Sequence, residues 1–215
     1  MESVLDRVIK QNTENVNLLK TKDYNIFSVL QIQSKEVLIC RMIADLLNPR
    51  GQHGAGAEDL KIFLRDCLGM EKMDTKLADQ AIVTAEYAID DERRIDIVIE
   101  MGSYFLPIEV KIYAADQKSQ CFDYYQYAKR RDAQAKVYYL TLDGHRPGKD
   151  STSSGSQSVP EEDIVCLSFR EHILNWLKAC KNCGNTGMIP ILEQFIRNIE
   201  QISGYTSERV RNMVI

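Results

Sequence analysis

The sequence predicts an α/β domain with a mixed-direction central sheet and helices on both sides, and three observations carry that expectation. Helical and strand-like apolar periods alternate along the chain, in the order helix, helix, strand, hairpin, helix, strand, loop, strand, helices. The stretch Arg93 to Ile112, RRIDIVIEMGSYFLPIEVKI, holds two apolar runs split by Gly102 and Ser103, the pattern of a β-hairpin with a tight turn. The 215 residues, 44% hydrophobic and 27% charged, are enough for one domain with a full core and fit an ordinary globular composition.

Residues 1 to about 20 bring Val4, Leu5, Val8, Ile9, Val16 and Leu19 near helical spacing, which predicts an amphipathic helix. A short apolar turn or helix follows over Asn25 to Leu30, and Ser34 is placed to cap a helix running to about Leu47, stopped by Asn48-Pro49. Steps of three and four from Glu36 reach Cys40, Ile43 and Leu47, so this acid shares the stripe that faces the core, where it needs a partner or a metal. The alternative is an acid on an exposed edge that complements the helix dipole. NPRGQHGAGAED, 48–59, reads as a Pro/Gly loop leading into a helix through about Leu68; its His53 is placed to contact a phosphate or to scaffold a site.

Residues 69–80 read as loop with some helix, and Ile82 to Ile89 as the first strand. After the hairpin, a helix is expected over about Asp116 to Arg131, with Gln117, Gln120, Tyr124 and Tyr127 on or near one side. Lys136 to Leu142 is dense in β-formers and predicts a strand. Residues 143–160, rich in Ser, Gly and Pro, read as a mobile surface loop; Asp163 to Phe169 as a last strand; Arg170 to Cys180, packing around Trp176, and Ile189 to Ile202 as helices.

The hairpin carries the chemistry. With Gly102-Ser103 as a two-residue turn, Met101 pairs with Tyr104, which sets Asp96 across from Glu109 and Arg94 across from Lys111. Neighbouring carboxylates repel, and a lysine on the same face offsets them. Two acids and a lysine on one strand face hold a hard divalent cation and stabilise a phosphate beside it. A slip of one residue would put the two acids on opposite faces.

The remaining composition excludes several classes. No apolar run approaches the roughly 20 residues of a membrane span, and MESVLDRVIKQ is too charged for a signal peptide, so a cytoplasmic protein is expected, without membrane association. The six cysteines lack a disulfide spacing, and the single CxxC, Cys180 and Cys183, lacks further ligands at motif spacing, so these read as ordinary thiols. A net charge of −4 counts against a protein that coats nucleic acid through general electrostatics. A local basic strip remains, Lys129, Arg130 and Arg131 with Arg93 and Arg94.

Asp96, then Glu109-Val110-Lys111, resembles the D…(D/E)xK signature of the PD-(D/E)xK nuclease superfamily, and the order of elements from Glu36 to Leu142 is similar to its αβββαβ, restriction-endonuclease-like core. Glu36 on the preceding helix, Gln120 and Tyr124 spaced as Gln-x-x-x-Tyr like RecB-type members, and the loop NPRGQHGAG strengthen the likeness, the last to a bacterial branch of the superfamily. Ile95 departs from it, standing where a proline often precedes the aspartate. The resemblance covers about residues 25–142 of a single domain over 1–215, with a helical extension at about 168–215; the unassigned helices offer an interface for a homodimer. It implies a Mg²⁺- or Mn²⁺-dependent nuclease acting on nucleic acid, DNA before RNA. Asp96, Glu109 and the Val110 carbonyl would ligate the metal, and Glu36 would reach it directly or through water. Lys111 would orient the attacking water or offset charge in the transition state. Gln120 and Tyr124 would bind the backbone phosphate or brace the site, with His53 and Arg94 as further substrate contacts. The alternative is an inactive nuclease fold that serves as a binding module for nucleic acid or protein.

Overall fold

Alternating β-branched residues make the hairpin the middle of a five-stranded sheet. The computed structural model describes residues 24–183 and 185–204, and the helix expected over residues 1–20 lies outside them. In chain order the elements are α1 (Ile26–Val29), α2 (Glu36–Leu47), α3 (Glu58–Asp66), α4 (Thr75–Asp79), β1 (Ile82–Ala88), β2 (Arg94–Met101), β3 (Tyr104–Lys111) and α5 (Gln120–Arg131). Then come β4 (Val137–Thr141), α6 (Lys149–Thr152), β5 (Ser153–Ser154), β6 (Gln157–Ser158), β7 (Ile164–Ser168), a π turn over Phe169–Ile173, α7 (Leu174–Cys183) and α8 (Ile189–Ile202). The sheet order is β1-β2-β3-β4-β7, antiparallel through β3 and parallel from β3 to β7, so the sheet is mixed as the sequence predicts.

The turn register also stands as expected: Met101 pairs with Tyr104 and Ile97 with Ile108. Gly102 supplies the positive φ, +56°, that a tight hairpin turn with glycine in its first central position requires. β3 is the innermost strand, buried along almost its whole length. On one face its even-numbered residues, Leu106, Ile108 and Val110, join the apolar core formed with α2, α3, α7 and α8. On the other face Phe105 joins Cys121, Phe122 and Tyr124 of α5. Glu109 and Lys111 share the parity of Phe105 and so lie on the α5 side.

One irregularity positions the site. In an undistorted strand, residues two apart share a face. Yet Ile97 and Ile99 of β2 enter the larger core while Ile95 enters the α5 core, and in β1 Val83 and Ala85 face one core while Tyr87 faces the other. The ladder pairs Ala85 with Ile97 and Tyr87 with Ile95, so both strands turn over at the step between, Glu86 and Asp96. Glu86 takes φ +54°, a left-handed conformation that costs a non-glycine residue on the order of 1–2 kcal/mol. Its carboxylate is held at 2.6 Å by Arg41 of α2.

Three expectations need correction. The N-cap of α2 is Lys35, not Ser34, with no side-chain capping bond, and Glu36 in the first turn reaches away to β3. The helix expected from Asp116 begins at Gln120, because Ser119 sits at φ +57° and interrupts the path. Residues 143–160 are not a bare loop. Ser151 is buried and accepts from the Cys121 N–H, the Ser119 N–H donates to the Asp150 carbonyl at 2.7 Å, and β5 and β6 form a small hairpin. Serine composition reads as solvent exposure, but here the Ser151 hydroxyl serves as an internal partner for the start of α5.

The C-terminal helices complete the main core. Trp176 of α7 meets Phe63 of α3 edge-on at 5.4 Å, and Phe195 of α8 stacks on Phe27 of α1 at 5.3 Å. Among the described residues no helix is long and apolar enough to cross a membrane.

Candidate active site

The β2–β3 ladder ends at Ile97 and Ile108, and beyond it the two strands fork. On the fork side, the N–H groups of Val110 in β3 and of Ile112 just past its end are left without a strand partner. A buried N–H without an acceptor costs about 1–3 kcal/mol. Asp96 Oδ2 accepts from the Val110 N–H at 2.7 Å, and Glu36 Oε2 from the Ile112 N–H at 2.8 Å. Two carboxylates, one from the departing strand and one from α2, thus stand where the neighbouring strand would have continued.

Glu109 lies beside them, 1% exposed. Its Oε1 is 2.5 Å from Lys111 Nζ, and its Oε2 is buried without a hydrogen-bond partner. Asp96, bonded to the neighbouring Val110 N–H, lies close enough to Glu109 for the two carboxylates to act on each other. Burial, followed by repulsion from Asp96, pushes Glu109 well above the usual carboxylate range. Burial also raises Asp96, against the Val110 N–H and Lys111. Burial pulls Lys111 down, but Glu109, Asp96 and Glu36 outweigh it and hold the ammonium charged. Cys40, one turn beyond Glu36 on α2, has its thiol pushed up by burial and then by these same acids.

A second layer braces the cluster. The Tyr124 hydroxyl donates to the Arg94 carbonyl in a short bond, and Gln120 Nε2 donates to that hydroxyl at 3.1 Å, so the Gln-x-x-x-Tyr pair ties α5 to the strand carrying Asp96. Burial, then Glu109, raises the Tyr124 hydroxyl, which stays a donor. Arg93 clamps the entry to α5 by donating to Asp123, Gln117 Oε1 and the Lys118 carbonyl. Asp116 has no pattern that marks it in sequence, yet it accepts from Tyr139, the ladder partner of Glu109, and from the Gly148 N–H.

Other expected site residues fall elsewhere. Arg94 is not across from Lys111, because β2 has left β3 by that point; it pairs with Ala88 of β1 and its side chain is exposed. His53 is not brought to the fork. Its ring is 1% exposed, with Nε2 2.9 Å from the Asn48 carbonyl and Nδ1 3.4 Å from Asp59 and accepting from the Ala55 N–H. The glycines of that loop let the chain wrap this ring: a side chain on Gly51 would meet the Asp45 carbonyl at 2.2 Å and the His53 ring at 2.6 Å. Most of the basic strip is internally neutralised, since Lys129 pairs with Asp163, Arg131 with Glu100 and Arg93 with Asp123.

The donor set at the fork suits a hard cation. Among the described residues no three His, Cys, Asp or Glu side chains converge into a closed cage. Magnesium does not need one: it is held by one or two carboxylates, with waters and substrate phosphates filling the remaining positions. Asp96 and Glu109, with the unpartnered Glu109 Oε2, fit that description.

A mixed five-stranded sheet flanked by helices, forked at a central hairpin that carries two carboxylates and a lysine, has the restriction-endonuclease-like architecture. A family model of the PD-(D/E)XK nuclease superfamily matches residues 24–198, and the chain belongs to that superfamily. The match runs past the expected core end at 142 through α7 and most of α8, the helices that complete the main core. Members of the superfamily are typically nucleases and generally use divalent metal ions. No curated protein matches the chain.

Proposed function

We propose that this protein is a metal-dependent nuclease that hydrolyses phosphodiester bonds in nucleic acid, with DNA the first substrate to test. The observation that carries the reading is Glu109: a buried carboxylate with one oxygen on Lys111, the other unpartnered, and the Asp96 carboxylate beside it on the Val110 N–H. Left to itself this arrangement sets two acids against each other out of water. A divalent cation would relieve it. Asp96 and Glu109, with the Val110 carbonyl as a further oxygen, would hold Mg²⁺ or Mn²⁺, and Glu36 would reach it directly or through a water. When bound, the metal would lower the pKa of a coordinated water and polarise the phosphate.

The chain's own residues supply the rest. Lys111, kept charged by three acids, would orient the attacking water and offset the negative charge that builds on the phosphate oxygens. Gln120 and Tyr124 fix the strand that presents Asp96. The test is cleavage of plasmid, single-stranded DNA and RNA with Mg²⁺ or Mn²⁺ titrated, comparing wild type with Asp96→Ala. Metal-dependent products from the wild type alone support the proposal. Products that persist unchanged in Asp96→Ala, or no products and no metal-induced thermal shift at millimolar concentrations, overturn it in favour of a non-catalytic binding module.

A further inference from the structure

Exposed apolar residues occur on both segments that meet at the Glu36–Ile112 hydrogen bond. The most exposed large hydrophobic residue among those described is Tyr113, at 69%, and it follows directly on Ile112, whose N–H Glu36 accepts. On the helix side of the same carboxylate, Leu30, Val37 and Leu38 are exposed and, with Ile32, Lys35 and Glu36, line a shallow groove of about 540 Å³. A soluble surface gains nothing from an unpartnered aromatic and three aliphatic chains at a site otherwise built of charges.

We infer that Tyr113 and the Leu30–Val37–Leu38 groove form a base-stacking site flanking Glu36, which takes unpaired nucleotides, so that the substrate is a single strand or a frayed duplex end. The inference rests on the nuclease reading above and narrows its substrate. Two further observations favour a nucleobase as occupant. First, Glu36 belongs both to the groove and to the carboxylate cluster, so a strand with its phosphate at Asp96 and Glu109 continues onto this surface. Second, phosphate charge is a weak handle here: the net charge is −4, and Lys129, Arg131 and Arg93 are each paired with an acid of this chain. Stacking on an aromatic ring supplies affinity that does not depend on that charge, and every unpaired base offers a face for it. A paired, stacked duplex keeps its base faces covered.

The test measures binding apart from cleavage, using full-length Asp96→Asn as background, with a fluorescein-labelled oligo-dT 20-mer, a blunt duplex of the same length, and a single strand carrying 2-aminopurine. Tyr113→Ala should weaken single-strand binding about tenfold, abolish most 2-aminopurine quenching, and leave duplex binding within about twofold; Tyr113→Phe should restore both losses. Leu30→Ser combined with Val37→Ser should weaken the single strand further. Since all three residues are exposed, unchanged thermal melting is expected and confirms folded variants. Equal losses on single strand and duplex, or no loss with Tyr113→Ala, overturn the inference. So does a concentration-dependent dimer that Leu30→Ser dissolves while single-strand binding persists, which would make the groove a contact between two copies. Failure of the nuclease reading looks different: no metal-dependent cleavage by wild type, with the Tyr113-dependent quenching intact.

Discussion

Two buried polar clusters in this molecule look alike by chemistry and differ in what they can do. One is the fork, with Glu36, Asp96, Glu109 and Lys111. The other lies under the glycine-rich loop, where His53 meets Asp59, the Asp59 carbonyl accepts from Trp176, and the Cys180 thiol faces the Asp59 carboxyl. Each holds a buried acid with one unpartnered oxygen, Glu109 Oε2 and Asp59 Oδ1, and burial raises both acids. The surroundings separate them. Asp59 is closed in by a ring, a thiol and fixed backbone, with His53 and Asp59 both sealed from solvent. Glu109 faces a second acid and a lysine, and Asp96 and Glu36 are only partly buried. A buried acid becomes chemically useful when it has a second acid and a lysine beside it and a way in; sealed from solvent, it fastens a loop.

The largest expected effect breaks the two apart by activity. Glu109→Gln should lower metal-dependent cleavage at least about a hundredfold, since it removes a carboxylate that would hold the metal and charge stabilisation in the transition state is worth that much. The same change should lower the thermal midpoint, because it leaves the buried Lys111 ammonium without its carboxylate, a loss only partly offset by relief of the repulsion from Asp96. Calorimetry beside a plasmid-nicking assay reads both. A rate within a few-fold of wild type would remove Glu109 from the chemistry.

The loop cluster should lose stability alone. His53→Ala leaves the Asp59 carboxylate and the Ala55 N–H without their partner, so stability measured by urea unfolding should fall by about 1–3 kcal/mol. Cleavage per folded molecule should stay within about threefold of wild type, far short of the hundredfold loss of a transition-state group. A loss of rate without a loss of stability would bring His53 back as a substrate contact.

Protons sharpen the comparison further. Asp96, Glu109 and Asp59 all have folded pKa values above their ordinary ones, so from the ordinary carboxylate range upward the folded state holds more protons than the unfolded state. With ν_N above ν_U the slope of stability with pH is negative, so these groups make stability fall as pH rises through that window. Mg²⁺ should flatten the share due to the fork and leave the share due to Asp59, and metal affinity should rise with pH because binding expels protons. Melting curves from pH 4 upward, with and without Mg²⁺, test it in wild type and Asp59→Asn. The smallest effect concerns the half-exposed pair Arg41–Glu86: Arg41→Ala should cost no more than about 1 kcal/mol in the same melts.

What the sequence disclosed follows the range of each interaction. The hairpin register was legible because a glycine turn and alternate β-branched residues fix it locally, and although the ladder ends at Ile97 and Ile108, Asp96 still reaches the Val110 N–H next to Glu109. Glu36 was legible as an acid on a core stripe, although its acceptor role toward Ile112 depends on a contact 76 residues away. The misplacement of Arg94 has one cause: counting outward from a turn assumes that two strands stay paired, whereas these turn over at Glu86 and Asp96 and part. Residues 143–160 misled because composition does not say whether a hydroxyl faces water or the N–H of Cys121. His53 was read with two roles open, and only the tertiary arrangement distinguishes a ring wrapped by its own loop from one offered to a ligand.

The capping of β3 by side chains has a consequence for observation. Val110 lies in the central strand and Ile112 just past its end, yet their amide protons end on Asp96 and Glu36. In a ¹⁵N-labelled sample those two resonances should shift when an ion reaches the carboxylates, while the amide of Leu140 in β4, also on the central sheet, stays put. The backbone thus carries its own occupancy gauge, one that can be read without a substrate, a turnover or a label at the site.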